Sequence, residues 1–249
     1  MSLERQSDNT NNPWWGEHIY RYQWVANFLE NKSFKILDIA CGNGFGSFFL
    51  SSKGHNVLGG DISEEAILEC KKKYNAVNLN FEKVDGTNLS YLDSEFDVLV
   101  SFETIEHTKD YLKMLSEFKR VVKKGGFIII STPNFLVNSP NGIIVNPYHT
   151  QEWTQEGLSL LLKGVFSDFK LYGQEYTRYK KNSLKFMIAK FIETILYKKG
   201  IRKIPISIQD KIMNFMINQP IYPQLFNYSL TQELSEIKKC KTFFAICKP

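Results

Sequence analysis

The sequence predicts an α/β protein: a three-layer α/β/α sandwich around a mostly parallel seven-stranded sheet, with a helical insertion before the last strand. Three observations predict it. Strand-like and helix-like segments alternate regularly through residue 131. The first strand, 35–40, is a short apolar run of the kind buried on both faces. One further apolar run, 242–247, lies close to the end of the chain.

Residues 14–30 read as a helix entered through Pro13, because Ile19, Tyr22, Val25, Ala26 and Leu29 recur at helical spacing. Residues 35–40 form an apolar run that leads into glycines, hence a buried strand. Residues 45–53 suit a helix that stops at Gly54, and 56–61 are a second strand. Ser63 can cap a helix reaching about residue 74, with Glu64 and Glu65 in its first turn. Residues 79–84 are a third strand. The fourth, 96–101, follows the turn-like Asp93-Ser94-Glu95. A helix over 111–122 is ended by Gly125-Gly126 and leads to a fifth strand, 127–131. The pattern then loosens. Residues 154–163 look helical and 166–172 look like a sixth strand. The organisation expected is an N-terminal lid helix in 1–30, a core over 31–172, a mostly helical insertion over 173–241 on the acceptor or partner side, and the last core strand in 242–249.

Composition excludes several classes. With 43% hydrophobic and 23% charged residues, disorder, collagen and coiled coil are excluded. No run approaches the ~20 apolar residues of a membrane span, and nothing resembles a signal peptide. The four cysteines show no C-x-x-C spacing, which points to free thiols and a cytoplasmic protein. The net charge of +5 is too mild to argue for nucleic acid, and none is expected as a partner. Residues 178–203, however, hold nine basic residues and one acid, leaving the remainder near −3. That segment is either an ordinary amphipathic surface or a peripheral contact with the inner face of an anionic membrane.

The chemistry starts at Ile36-Leu37-Asp38-Ile39-Ala40-Cys41-Gly42-Asn43-Gly44-Phe45-Gly46, a glycine-rich turn between a strand and a helix. Its G-x-G-x-G spacing differs from the dinucleotide G-x-G-x-x-G. An acid, Asp38, also stands four residues before Gly42, where it suits a cationic amine better than a diphosphate. Asp61 ends the second strand, where an acid can accept both hydroxyls of a ribose. Asp85-Gly86-Thr87 follows the third strand, a position suited to an adenine amino group.

These stretches, with residues 96–101 and 120–126, resemble the class I S-adenosylmethionine-dependent methyltransferases. The resemblance covers the first five strands and the last. It implies a Rossmann-like fold, S-adenosyl-L-methionine as cofactor, and cofactor contacts from Asp38, Ala40, Gly42, Asn43, Gly44, Asp61, Ile62, Asp85, Gly86, Thr87 and Phe102. It also implies an N-terminal helix closing over the methionine end, with Trp14, Trp15, His18, Arg21 and Tyr22 as candidates.

After the fourth strand comes Phe102-Glu103-Thr104-Ile105-Glu106-His107. If a helix begins there, Glu103, Glu106 and His107 share one face. His149 lies in the loop after the fifth strand, three residues before Glu152-Trp153-Thr154. Glu103, Glu106, His107 and His149 resemble the metal set of the small-RNA 3′-terminal 2′-O-methyltransferases, and ubiquinone-biosynthesis O-methyltransferases share the Glu-x-x-Glu-His element. That resemblance implies a divalent ion, Mg²⁺ or Mn²⁺, chelating two neighbouring acceptor oxygens. The alternative is His107 or His149 acting as a metal-free base beside Glu103. The chain also resembles bacterial surface-polysaccharide methyltransferases. That implies O-methylation of a sugar or other small vicinal diol, so the expected partner is a small-molecule or glycan acceptor. A catechol or quinol precursor, an amino sugar, a phosphorylated small molecule, or an inactive cofactor-binding subunit stay open as alternatives.

Overall fold

The computed structural model describes residues 15–30, 32–176 and 225–249. These fall into two compact units. One comprises 21–30, 32–175 and 229–249; the other comprises 15–20, 176 and 225–228. In the second, the Tyr228 ring stands 5.7 Å from Tyr20 and 5.3 Å from Tyr176. Trp14 and the basic segment 178–203 lie outside the described residues, so one of the two expected lid tryptophans and the membrane-contact reading fall there.

Helix α1 (Trp15–Phe28) precedes strand β1 (Lys35–Ile39). Then follow α2 (Phe45–Ser52), β2 (Asn56–Asp61), α3 (Glu64–Lys73), β3 (Leu79–Lys83) and β4 (Phe96–Phe102). A 3-10 turn, Ile105–His107, leads to α4 (Tyr111–Val121), β5 (Val122–Pro133) and the short α5 (Phe135–Asn138). The remainder is α6 (Gln155–Val165), β6 (Asp168–Tyr176), β7 (Tyr228–Thr231), α7 (Leu234–Ile237) and β8 (Thr242–Lys248).

The sheet runs β3-β2-β1-β4-β5-β8-β6-β7. Strands β3, β2, β1, β4 and β5 are parallel, whereas β8 runs antiparallel to both β5 and β6. The chain reverses its winding between β1 and β4. In open α/β sheets, ligands bind beyond the carboxyl ends of the strands at that switch point.

The sheet separates two apolar layers. On one side, Met114, Leu115 and Phe118 of α4 and Leu158 and Leu162 of α6 pack on Leu37, Leu99, Ile128 and Phe243. On the other, Tyr22, Val25, Ala26 and Leu29 join Ile36, Leu50, Val98, Ile129 and Phe244. The second half of α1 is thus a core helix. No helix among the described residues is long and apolar enough to cross a membrane.

Two expectations need correction. The sheet has eight strands, not seven, because β7 lies inside the segment read as a helical insertion. It is four residues long and sits at the sheet edge, too short to show a period. Strand β6 also runs to Tyr176, past the expected boundary at 172, so the sheet extends into that segment.

Close packing of α1 on α2 depends on Gly46, where an added Cβ would run into the Tyr22 ring. Gly46→Ala is expected to cost about 1–3 kcal/mol through overpacking, read as a lowered unfolding midpoint in urea with unchanged slope.

Candidate functional site

The loop after β1 turns sharply. Ala40, Gly42 and Gly44 all have positive φ, at 61°, 56° and 75°. Glycine adopts this backbone readily, while Ala40 is held there against its preference. The loop is tied down by Cys41 N–H donating to Gly60 O at 3.1 Å and Gly44 N–H donating to Cys41 O at 2.9 Å. The Asn43 carboxamide accepts from Phe45 N–H at 3.2 Å as α2 begins. At Gly42 an added Cβ would meet nothing within 4 Å, so the loop opens outward there. At Gly44 it would strike the Cys70 sulfur and the Phe81 ring at 2.8 Å, so the loop is packed from beneath.

Asp61 closes the rim from β2. Its carboxylate accepts from Gly42 N–H at 3.0 Å and from Ser63 N–H at 2.9 Å, while remaining half-buried. Beside it Ile62 is 68% exposed, an apolar surface at a strand end. Asp85 is exposed after β3 and is fixed by the Thr87 N–H and hydroxyl, both at 2.8 Å. Gly86 is buried against Met114 and Ile39. The structure therefore brings Ala40, Gly42, Asn43, Gly44, Asp61, Ile62, Asp85, Gly86 and Thr87 to the carboxyl ends of β1, β2 and β3.

Asp38 is fully buried, and its carboxylate accepts from Ser47 Oγ at 2.6 Å and from the Tyr22 hydroxyl at 3.1 and 3.3 Å. It ties α1 and α2 to the end of β1. Burial pushes its carboxyl up to about 7 despite those donors. Burial and then the Asp38 charge push the Tyr22 phenol up, which keeps its proton in place as donor.

Arg21, expected on the lid, is fully buried. Its Nε donates to Gln174 at 2.7 Å, its Nη2 lies 3.4 Å from Thr242 Oγ1, and its Nη1 pairs with Glu103 Oε1 at 3.2 Å. The Phe102 ring is likewise committed to the core, 5.0 Å from Tyr22 and 5.9 Å from Phe244.

The carboxylates after β4 are not on one helical face. Glu103 has φ of 52°, and the regular turn begins only at Ile105. Glu103 N–H donates to Ser131 O at 3.0 Å, and Ser131 Oγ donates to Glu103 Oε1 at 2.7 Å. That backbone turn points Glu103 to Arg21, so the four residues expected to converge do not all come together. One ligand atom each from Glu106, His107 and His149 lie within 4.8 Å of one another, and among the described residues Glu103 is not in that group. Glu106 is fully buried. Its Oε2 accepts from Thr132 Oγ1 at 2.9 Å, while its Oε1 has no hydrogen-bond partner. Burial and then the Glu103 charge push its carboxyl well above the usual range.

Each imidazole is held through Nδ1. His107 Nδ1 lies 3.2 Å from the Tyr148 carbonyl, and His149 Nδ1 lies 2.7 Å from Glu152 Oε1. The His107 and His149 rings meet edge to face at 4.9 Å. The backbone of Thr150 donates to Glu106 O at 2.8 Å, which docks the 146–153 loop against the turn after β4. Sequence reading missed Ser131, Thr132 and Asn146 as site residues, and found Glu152 only as part of a motif.

Residues 37–130 match the family described as a methyltransferase domain. Over those residues the chain is similar to methyltransferase domains. A probable S-adenosylmethionine-dependent methyltransferase of Mycolicibacterium smegmatis is 31% identical over 61% of this chain and 58% of its own length. The ubiquinone biosynthesis O-methyltransferase of Paraburkholderia phymatum is 31% identical over 48% of this chain and 53% of its own. The chain thus spans little more than half of these methyltransferases. A crystal structure of a SAM-dependent methyltransferase from Archaeoglobus fulgidus shares the fold, with a TM-score of 0.59 and 19% identity over 94% of each chain.

Because the Asp38 carboxyl is raised in the folded domain, the native state binds its proton more tightly than the unfolded chain. That stabilisation is complete below the unfolded value near 3.8 and is lost as pH rises through about 7. Asp38→Asn is expected to remove this component. Unfolding free energies of wild type and variant, measured from pH 4 to 8, should differ by an amount that changes steadily across that window.

Proposed function

We propose that the protein is an S-adenosylmethionine-dependent O-methyltransferase acting on a sugar or another small vicinal diol, assisted by a divalent cation, Mg²⁺ or Mn²⁺. The observation that carries the cation is the buried Glu106 Oε1, which accepts no hydrogen bond from the described residues and lies 4.0 Å from His107 Nε2, gathered with His107 and His149 within coordination reach. A buried acceptor without a donor is costly, and a cation satisfies it. One carboxylate and two imidazoles are a usual ligand set for Mn²⁺, Fe²⁺ or Zn²⁺, and leave positions for two acceptor oxygens. When bound, such an ion lowers the pKa of a coordinated hydroxyl.

The chain's own residues do the rest. Asp61 is positioned to accept from the ribose hydroxyls, Ile62 offers an apolar face to the adenine, and Asp85 stands at the same rim. The glycine loop lets backbone approach the methionine end. Transfer forms an O–CH₃ bond and breaks the S–CH₃ bond in line, so the acceptor oxygen must be held still and lose its proton. The similarity to a protein named as an O-methyltransferase supports an oxygen acceptor. The four buried thiols fit a reducing, cytoplasmic setting.

A second reading has a specific observation in its favour. His149, held 2.7 Å from a carboxylate that is 1% exposed, also has the geometry of a metal-free general base. The two readings separate in one assay. With nucleotide sugars as acceptors and product followed as a gain of one methylene in mass, EDTA is expected to lower the rate at least about tenfold. Added Mg²⁺ or Mn²⁺ should restore it. Full activity in excess EDTA would remove the cation and leave His149 as base.

A further inference from the structure

We propose that Glu152 is a positioning residue that fixes the His149 tautomer, making Nε2 the nitrogen with the lone pair at the reacting site. The inference rests on His149 acting there, whether as ligand or as base.

Both nitrogens of the ring have a neighbour within hydrogen-bond distance. Glu152 Oε1 stands 2.7 Å from His149 Nδ1, and Glu152 Oε2 accepts from Ser139 Oγ at 2.8 Å. The Ser139 hydroxyl, itself buried, holds the carboxylate plane so that Oε1 faces the imidazole. The carboxylate is 1% exposed and His149 is 9% exposed, so water does not compete well for either group. A carboxylate only accepts hydrogen bonds, so the ring proton is drawn to Nδ1. On the other side, the Asn146 amide nitrogen lies 2.9 Å from His149 Nε2, and Asn146 Oδ1 is occupied by Tyr148 N–H at 3.0 Å. That orientation presents an N–H to Nε2, consistent with a lone pair there. A cation or an acceptor hydroxyl reaching Nε2 has to displace this N–H.

The partner imidazole is treated in the same way by the same loop. His107 Nδ1 faces the Tyr148 carbonyl, an obligate acceptor, which also puts the proton on Nδ1. Residues 146–152 therefore set both rings. Carboxylates or carbonyls behind a working histidine orient the ring and raise its basicity. His149 and Glu152 are three residues apart in the same loop.

The test uses the full chain labelled with ¹⁵N-histidine, read by long-range ¹H–¹⁵N spectra above the imidazole pKa, with His149 assigned by loss of its signals in His149→Gln. Wild type is expected to show His149 with Nδ1 protonated. Glu152→Ala should give a tautomer mixture and weaken Mn²⁺ binding, followed by electron paramagnetic resonance, by about 10–100-fold. Glu152→Gln keeps an acceptor toward Nδ1 and should restore the tautomer. A wild-type ring protonated at Nε2 overturns the inference without any variant. So does Glu152→Ala with an unchanged tautomer and only a lowered melting point, which would leave a merely structural role. Wild type that binds no Mn²⁺ yet shows the expected tautomer shift in Glu152→Ala removes the cation reading and leaves Glu152 as the orienter of a base.

Discussion

Two adjacent side chains on α1 hold both halves of the site. Tyr22 donates to Asp38 at the end of β1, and Arg21 pairs with Glu103 at the end of β4. Those are the two strands that flank the switch point of the sheet. Every acceptor in this brace is buried or partly buried, so leaving one unmatched is expensive: removing one partner of a buried ion pair destabilises by about 3–5 kcal/mol. Arg21 also reaches Gln174 on β6 and Thr242 on β8. One guanidinium thereby joins the first helix to the turn after β4 and to strands formed by the end of the chain.

The brace has an electrostatic consequence. Glu103 is paired with Arg21 at 3.2 Å, while Glu106, three residues on and fully buried, has an Oε1 without a hydrogen-bond donor among the described residues and with His107 Nε2 near it, at 4.0 Å. Placing two carboxylates this close raises the one that is less well paired. The site thus separates its acids by role. Glu103 anchors the backbone of the turn through Ser131 and Arg21, and Glu106 presents a bare oxygen to the histidines.

The first five strands were legible because short strand-like segments, most of them apolar, run up to a glycine, an acid or a serine, with helical or turn-like stretches between them. Asp61 and Asp85 could be placed at the rim for the same reason: position along a parallel strand determines which edge a residue reaches. Arg21 could not be read this way. An arginine on an amphipathic helix normally lies in water, and its burial depends on partners 82, 153 and 221 residues away. The burial of Asp38 was not legible for a related reason, since its donors Tyr22 and Ser47 come from two helices whose packing depends on Gly46. Glu103 was placed with the histidines by assuming a helix from residue 103. The positive φ there breaks that assumption, and such a conformation has no signature in a Glu-Thr dipeptide. His107 and His149 could be paired from a motif, but the ring orientation depends on the Tyr148 carbonyl and on Ser139, which no spacing reveals.

The central claim is that this braced switch point is a pocket for a sulfonium nucleoside, with the acceptor side formed by Glu106, His107 and His149. A crystal structure with S-adenosylhomocysteine tests it most directly. The account predicts ribose oxygens on the Asp61 carboxylate, the base beside Ile62 and Asp85, and the sulfur facing the turn after β4. A nucleoside bound elsewhere on the molecule, or a cleft that stays empty at saturating ligand, would contradict it.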